Sequence, residues 1–222
     1  MMTEGRAIVT GASRGIGSAI AIELDKRGYE VFGLSRSGVS PVGIGLVCDM
    51  TDEQAIKTVF DRITQQGTVS VLVNNAGCFI PGKIIDEPDG ILEKLMDTNL
   101  YSAYYLTRGL LPLLNKSEKG HIFNMCSVAS ILPYENGGSY SITKYALLGF
   151  SKCLREELKQ DGIRVTALIP GATYTDSWRS SGLAEERFMK AEDIAEILYK
   201  TYELSEHTNI EEIVLRPMLG DI

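Results

Sequence analysis

Tyr140 and Lys144 stand four residues apart in the run Ser139-Tyr140-Ser141-Ile142-Thr143-Lys144, at the start of an expected helix over residues 139–160. Residues four apart on a helix share one face, so the phenol and the ammonium project together. The cation favours phenolate and is expected to pull the tyrosine below its ordinary value of about 10. A tyrosine tuned in that way passes a proton near neutral pH. The same spacing also arises on an ordinary solvated helix face, so the pair takes its meaning from the rest of the chain.

A second constellation is built for phosphate. Gly11-Ala12-Ser13-Arg14-Gly15-Ile16-Gly17 follows an apolar strand over residues 6–10 and leads into a helix over residues 18–27. Glycines let backbone N–H groups approach a pyrophosphate, and the helix N-terminus adds partial positive charge. A tight turn without a ligand is the plainer alternative. The second strand, residues 30–34, ends in Ser35 and Arg36, where an NAD-binding unit places an acid for the ribose hydroxyls. No acid stands there. A neutral hydroxyl followed by a guanidinium suits the 2′-phosphate of NADP(H), and Arg14 is a second cation within the turn. NADP(H) is therefore the expected cofactor, with NAD(H) possible; ordinary solvated charge is the competing reading of both arginines.

The elements that must position these groups alternate. Further strands are expected over residues 42–48, 69–73, 120–125, 163–169 and 210–215, with helices over 53–65, from 88 or 89 to 114, and over 191–204. This pattern gives an α/β fold: a Rossmann-type, doubly wound parallel sheet of about seven strands with helices on both faces, residues 1–222 forming one domain. Ligands of such sheets bind at the strands' carboxyl ends. The third strand runs into Asp49 and Met50, and the fourth into Asn74-Asn75-Ala76-Gly77, whose two carboxamides can wall a crevice. Asn99 interrupts the apolar stripe of the helix ending at residue 114, as a satisfied core amide or as part of a site. The helix over 139–160 has a small stripe (Ile142, Ala146, Gly149, Cys153) beside a bulky one (Leu147, Phe150, Leu154, Leu158), so two faces are expected to be covered.

Composition narrows the function. With 22 basic and 29 acidic residues the net charge is −7, which argues against a nucleic-acid surface. No apolar run reaches the roughly 18 residues of a membrane span, and the first strand begins too early to leave room for a signal peptide. Cys48, Cys78, Cys126 and Cys153 do not show metal-ligand spacing, so no metal is expected. They read as reduced thiols of a cytoplasmic protein, all but Cys78 inside buried elements.

Taken in order, these motifs resemble the short-chain dehydrogenase/reductase family in its single-domain branch. The resemblance rests on Thr10-Gly11, Gly15-Ile16-Gly17, Asn74 to Gly77, Asn99, Ser127 thirteen positions before Tyr140, Lys144, and Pro170-Gly171 with Thr175. It implies that Tyr140 gives a proton to a carbonyl oxygen that Ser127 holds, and that Lys144 binds the nicotinamide ribose and lowers the tyrosine pKa. It implies that Asn99 supports a water linking Lys144 to solvent. The cofactor would lie along Gly11, Ser13, Arg14, Gly15, Ile16 and Gly17, with Ser35 and Arg36 at the 2′-phosphate. Asp49 would meet the adenine amine, with Met50 beside it. Asn75, Ala76 and Gly77 would line the dinucleotide, and Pro170, Gly171, Thr173 and Thr175 would meet its carboxamide or pyrophosphate. Thr173 stands where the family usually has Val or Ile, and Cys126 replaces the first serine of a Ser-Ser pair. The segment after Pro170 and the C-terminus are shorter than in many members, leaving the substrate side less enclosed.

The expected function is oxidoreduction of a small-molecule carbonyl or secondary alcohol. A non-catalytic dinucleotide-binding regulator is the alternative on the same fold; an epimerase or dehydratase would need a further C-terminal region. The family pairs the helices that carry Tyr101, Tyr104, Tyr105 and the small stripe across a two-fold axis, so a homodimer or homotetramer is expected. Cys78, Tyr134 and Trp178 follow the fourth, fifth and sixth strands and are expected at the substrate wall.

Overall fold

The computed structural model describes residues 4–65, 67–178 and 181–222. Seven parallel strands form one sheet in the order β3-β2-β1-β4-β5-β6-β7. They are β1 (Gly5–Thr10), β2 (Tyr29–Ser35), β3 (Ile44–Val47), β4 (Val71–Asn74), β5 (His121–Met125), β6 (Arg164–Pro170) and β7 (Glu212–Leu215). The order reverses between β1 and β4, which opens the crevice where doubly wound sheets take their ligands.

Strand residues alternate between two cores, as the pleat requires. Ala7 and Val9 of β1 face helices α1 (Gly15–Lys26) and α6 (Ala191–Glu203), packing with Ile20, Leu24, Ile194 and Leu198. Ile8 faces the opposite layer, with Ile56 and Val59 of α2 (Glu53–Thr64), Leu106 and Leu110 of α4 (Ser102–Leu114), and Leu154 of α5 (Gly138–Leu158). Burying each such aliphatic side chain contributes roughly 1.5–3 kcal/mol, which is why strands covered on both faces read as nearly unbroken apolar runs.

Three elements differ from the sequence expectation. The third strand is four residues rather than seven: Gly43 has φ of +62°, and the strand pairs only with β2 at the sheet edge. The helix expected to end at residue 114 is α3 (Ile91–Met96), a π-helical turn (Asp97–Tyr101) and then α4. The widened turn accommodates Asn99, whose side chain bonds outside the helix. Finally, residues 172–190 carry short 3-10 turns, Asp176–Trp178 and Glu185–Arg187, and a bridge from Thr173 to Met189. Among the described residues no helix is long and apolar enough to cross a membrane.

Candidate active site

The glycine turn is fixed by what surrounds it. Gly11 and Gly15 have φ of +67° and +57°. A Cβ on Gly17 would sit 2.4 Å from the Gly11 carbonyl oxygen, so no side chain fits there. Thr10 and Asn75 fasten the turn to the end of β4. The Asn75 amide donates to Thr10 O (2.8 Å), and the backbone N–H groups of Asn75 and Ala76 donate to Thr10 Oγ1 (2.9 and 2.8 Å).

The two adjacent asparagines therefore separate. Asn75 lines the cleft. Asn74 does not: it is buried and donates to Thr107 Oγ1 and Asn124 Oδ1. Successive strand residues point to opposite faces, so only one of the pair reaches the crevice.

Two cavities open along the strands' carboxyl ends and share Ile16, Asn75, Gly77, Cys78 and Thr175. The larger, about 850 Å³, is bounded by Gly11, Ser13, Arg14 and Gly15 of the turn, by Ser35 and Arg36, by Asp49 and Met50, and by Ala76. The smaller, about 350 Å³, is bounded by Ser127, Tyr140 and Lys144 and, opposite, by Pro170, Gly171, Thr173 and Thr175. Cys78, Tyr134 and Trp178 line this second cavity together.

At the 2′-phosphate end the hydroxyl of Ser35 donates to Val39 O (2.9 Å), closing the turn after β2, while Arg36 is exposed. Arg14 is exposed and lies 3.8 Å from the Asp176 carboxylate. Asp49 accepts from the backbone N–H and hydroxyl of Thr51, which holds its carboxyl below the usual range, with a smaller contribution from Arg36.

Helix α5 brings Tyr140 and Lys144 to one cavity, but their electrostatics differ from the sequence expectation. Tyr140 keeps some surface open to the cleft, yet its phenol end is closely surrounded, and burial pushes it up to about 12. A hydrogen bond with Ser127 acts the other way and is outweighed. Lys144 is buried, and desolvation lowers its own pKa. Its ammonium donates to Met125 O (2.7 Å) and lies 5.7 Å from the Tyr140 ring centroid. Desolvation of the phenolate therefore sets the direction, and the expected downward shift is corrected to an upward one.

Asn99 lines neither cavity. It accepts from Cys78 N (2.8 Å) and donates to Cys78 O (3.0 Å) and Thr143 Oγ1 (2.9 Å), tying the loop after β4 to α5. A Cβ on Gly77 would lie 3.1 Å from Asn99 Oδ1 and 3.7 Å from Lys144 Nζ, so the amide sits next to the site without opening onto it.

Other neighbours carry no sequence signal of their own. The Phe79 ring meets Tyr140 edge-on at 4.9 Å. Glu87 accepts from the backbone N–H of Ser139 (3.0 Å) and from its hydroxyl, capping α5 one residue before Tyr140. A carboxylate at a helix N-terminus is favourable, but nothing in the spacing of Glu87 announces it. Cys153 corrects another expectation: it is exposed on α5 with Gly149 and Ile142, while Cys48 and Cys126 are buried.

Comparison with known proteins agrees with this arrangement. Residues 6–186 match the family model described as short chain dehydrogenase. The chain belongs to the short-chain dehydrogenase family. It is 30% identical to the sepiapterin reductase of Chlorobaculum tepidum over 236 residues, covering 97% of each chain. It is 35% identical to the 3-oxoacyl-(acyl-carrier-protein) reductase FabG of Escherichia coli over 191 residues, covering 81% of this chain and 78% of that one. Among solved structures, it superposes on an alcohol dehydrogenase from Thermococcus sibiricus complexed with 5-hydroxy-NADP with a TM-score of 0.88 at 25% identity, covering 98% of both chains. A metagenomic short-chain oxidoreductase in complex with NADP gives 0.82 at 29% identity, covering 98% of this chain and 99% of that one. Like other short-chain dehydrogenases, the protein is an NAD(P)-dependent dehydrogenase or reductase.

Proposed function

We propose that the protein is an NADP(H)-dependent oxidoreductase acting on a small carbonyl compound or secondary alcohol, with Tyr140 as general acid and base. The observation that carries this reading is the shared cleft: Ser127, Tyr140 and Lys144 line one end, and the glycine turn with Arg36 lines the other. The cleft fits a dinucleotide. The glycine turn packs closely on Asn75 and Ala76 and lines the larger cavity, and two solved neighbours hold NADP or its 5-hydroxy form.

Gly11, Ser13, Arg14, Gly15, Ile16 and Gly17 would hold the pyrophosphate end, Asp49 and Met50 the adenine, and Asn75 to Gly77 the middle. Pro170, Gly171, Thr173 and Thr175 would hold the nicotinamide end. Arg36 would meet the 2′-phosphate; Ser35, whose hydroxyl is engaged with Val39 O, serves by not being an acid. When bound, the cofactor supplies or accepts the hydride. The chain's own part is the proton. In reduction Tyr140 releases its proton to the carbonyl oxygen, Ser127 donates a hydrogen bond to the same oxygen, and Lys144 offsets the phenolate left behind. A phenol with its pKa near 12 is protonated at neutral pH, which suits this direction.

Residues 1–222 act as one cytoplasmic domain in this reading, and two or four copies assemble. Tyr101, Tyr104 and Tyr105 are exposed on one helical face, and Ile142, Tyr145 and Gly149 on the neighbouring one. Apolar surface of that extent marks an interface.

The test is Tyr140→Phe. NADPH binding, followed by fluorescence titration, is expected to persist while turnover falls by about 10²–10⁴-fold, the usual contribution of a positioned acid. Turnover near that of the unmodified enzyme removes Tyr140 from the mechanism.

A further inference from the structure

The outer edge of the small cavity is made by a segment beyond the residues that match the family model. Asp221 and Ile222 line that cavity together with Trp178, on the same side as Gly171 and Thr173. They get there because the chain after β7 folds back across the end of β6. Pro217 is buried, and a Cβ on Gly171 would lie 3.1 Å from Pro217 Cδ and 3.3 Å from Asp221 Oδ1.

Little apolar burial holds this segment. Met218 is fully exposed and Leu219 is 78% exposed. Among the described residues, one guanidinium from outside the segment bonds to it. Arg187 Nη1 donates to Gly220 O (2.9 Å), and Nη2 donates to Asp221 O (2.8 Å) and Leu219 O (3.4 Å). Arg187 itself ends the turn Glu185–Arg187, and its neighbour Phe188 packs on Trp178 with ring centroids 5.3 Å apart. The two segments that face the catalytic residues are thus joined by a planar fork meeting three consecutive carbonyls, a geometry a point charge does not reproduce.

The charge of this wall has a consequence for substrates. Among the described residues the cavity's lining holds one cation, Lys144, and one acid, Asp221. Lys144 is buried against Met125 O. Arg216 pairs with the Asp221 carboxylate but does not line the cavity. The rest of the substrate side is apolar or aromatic: Phe79, Leu132, Tyr134, Trp178 and Ile222. Among the described residues of the lining, an anionic substrate would meet the Asp221 carboxylate, already paired with Arg216, and no cation other than the buried Lys144.

We propose that Arg187 fastens residues 216–222 as the outer wall of the substrate cavity, and that Asp221 in this wall selects neutral carbonyl compounds with an apolar or aromatic body over anionic ones. The proposal rests on the oxidoreductase reading above. It makes Arg187 a positioning residue and Asp221 a specificity determinant.

The experiment uses a matched pair of aldehydes, methyl 4-formylbenzoate and the 4-formylbenzoate anion, with NADPH oxidation as the readout. The unmodified enzyme is expected to favour the ester by about tenfold or more in kcat/KM. Asp221→Asn is expected to shrink that ratio by about threefold or more, mainly through a lower KM for the anion. Arg187→Met keeps the side-chain length but removes the fork; it is expected to raise KM for the ester about five- to tenfold, more than it lowers kcat. Arg187→Lys should recover only part of that loss. Amide hydrogen exchange at residues 218–222 should quicken in Arg187→Met while the NADPH dissociation constant stays unchanged.

Failure of the unmodified enzyme to oxidise NADPH with either aldehyde, while another carbonyl compound of a broader panel turns over, overturns the proposed preference; failure with every carbonyl compound of that panel overturns the NADP(H)-dependent carbonyl-reduction reading and this proposal with it. An active enzyme whose ester preference is absent, or unchanged in Asp221→Asn, overturns selection by Asp221 alone. Unchanged exchange and unchanged ester KM in Arg187→Met overturn the wall.

Discussion

Replacing Asn99 tests its structural part, the tie between the loop after β4 and α5. Its amide makes three bonds: it accepts from Cys78 N and donates to Cys78 O and Thr143 Oγ1. In Asn99→Ala, Thr143 retains its own donation to Tyr140 O (2.8 Å), so two groups, the N–H and C=O of Cys78, lose partners. Each orphaned buried group costs about 1–3 kcal/mol, and partial exposure of Cys78 to the cleft keeps the total near 2–5 kcal/mol. For a chain of this size each kcal/mol corresponds to roughly 2–4 °C, so Tm should fall by roughly 4–20 °C in a calorimetric scan. The π-helical turn at Asp97–Tyr101 has no other buried side chain to justify it and should relax toward a regular helix. Asn99→Asp should fall between, since a carboxylate accepts from Cys78 N but cannot donate to Cys78 O or Thr143. Turnover should drop in both variants because Gly77 and Cys78 line the cleft. A Tm within about 2 °C of the unmodified protein in Asn99→Ala would refute the reasoning, since no reorganisation that cheap can satisfy both backbone groups.

Cofactor choice turns on Arg36. The enzyme should show higher kcat/KM with NADPH than with NADH, and Arg36→Ala should reduce that ratio about ten- to a hundredfold, one charge-assisted contact's worth. Ser35→Asp with Arg36→Leu should reverse it, and an unchanged ratio in Arg36→Ala would make that residue plain surface charge. The Tyr140 phenol should titrate high in the enzyme without cofactor. Burial penalises the phenolate, so the ultraviolet difference between the unmodified protein and Tyr140→Phe should show no phenolate below about pH 10 and a transition near 12; a transition near pH 8 would contradict the desolvation argument. Light scattering at micromolar concentration should give a dimer or tetramer, and a monomer would leave the exposed tyrosines of α4 unexplained.

How much of this was legible in the sequence follows from how far each interaction reaches along the chain. The seven strands, the glycine turn and the common face of Tyr140 and Lys144 were readable because the periods of 2 and 3.6 and the steric demands of glycine act within a few residues. The ordered motifs sufficed to identify the family. Boundaries failed where a neighbour distant in sequence intervened. The π-helical turn exists because Asn99 meets Cys78, 21 positions away, and Thr143, 44 away. Asn74 and Asn75 look alike in sequence, and only the strand's direction in the sheet sends one to the core and the other to the cleft. Cys153 lies on a helix whose period marks two apolar faces, but which of them the sheet covers is decided by docking. The sign of the Tyr140 shift is not local for the same reason. A cation four residues away is visible in the sequence, whereas desolvation depends on every atom packed around the phenol, including Phe79 from the loop after β4. The sequence by itself determined the chemistry at hand and the elements that present it; the tertiary structure decided the medium in which that chemistry runs and the wall, held by Arg187, that faces it, because burial and approach between distant segments leave no local period to read.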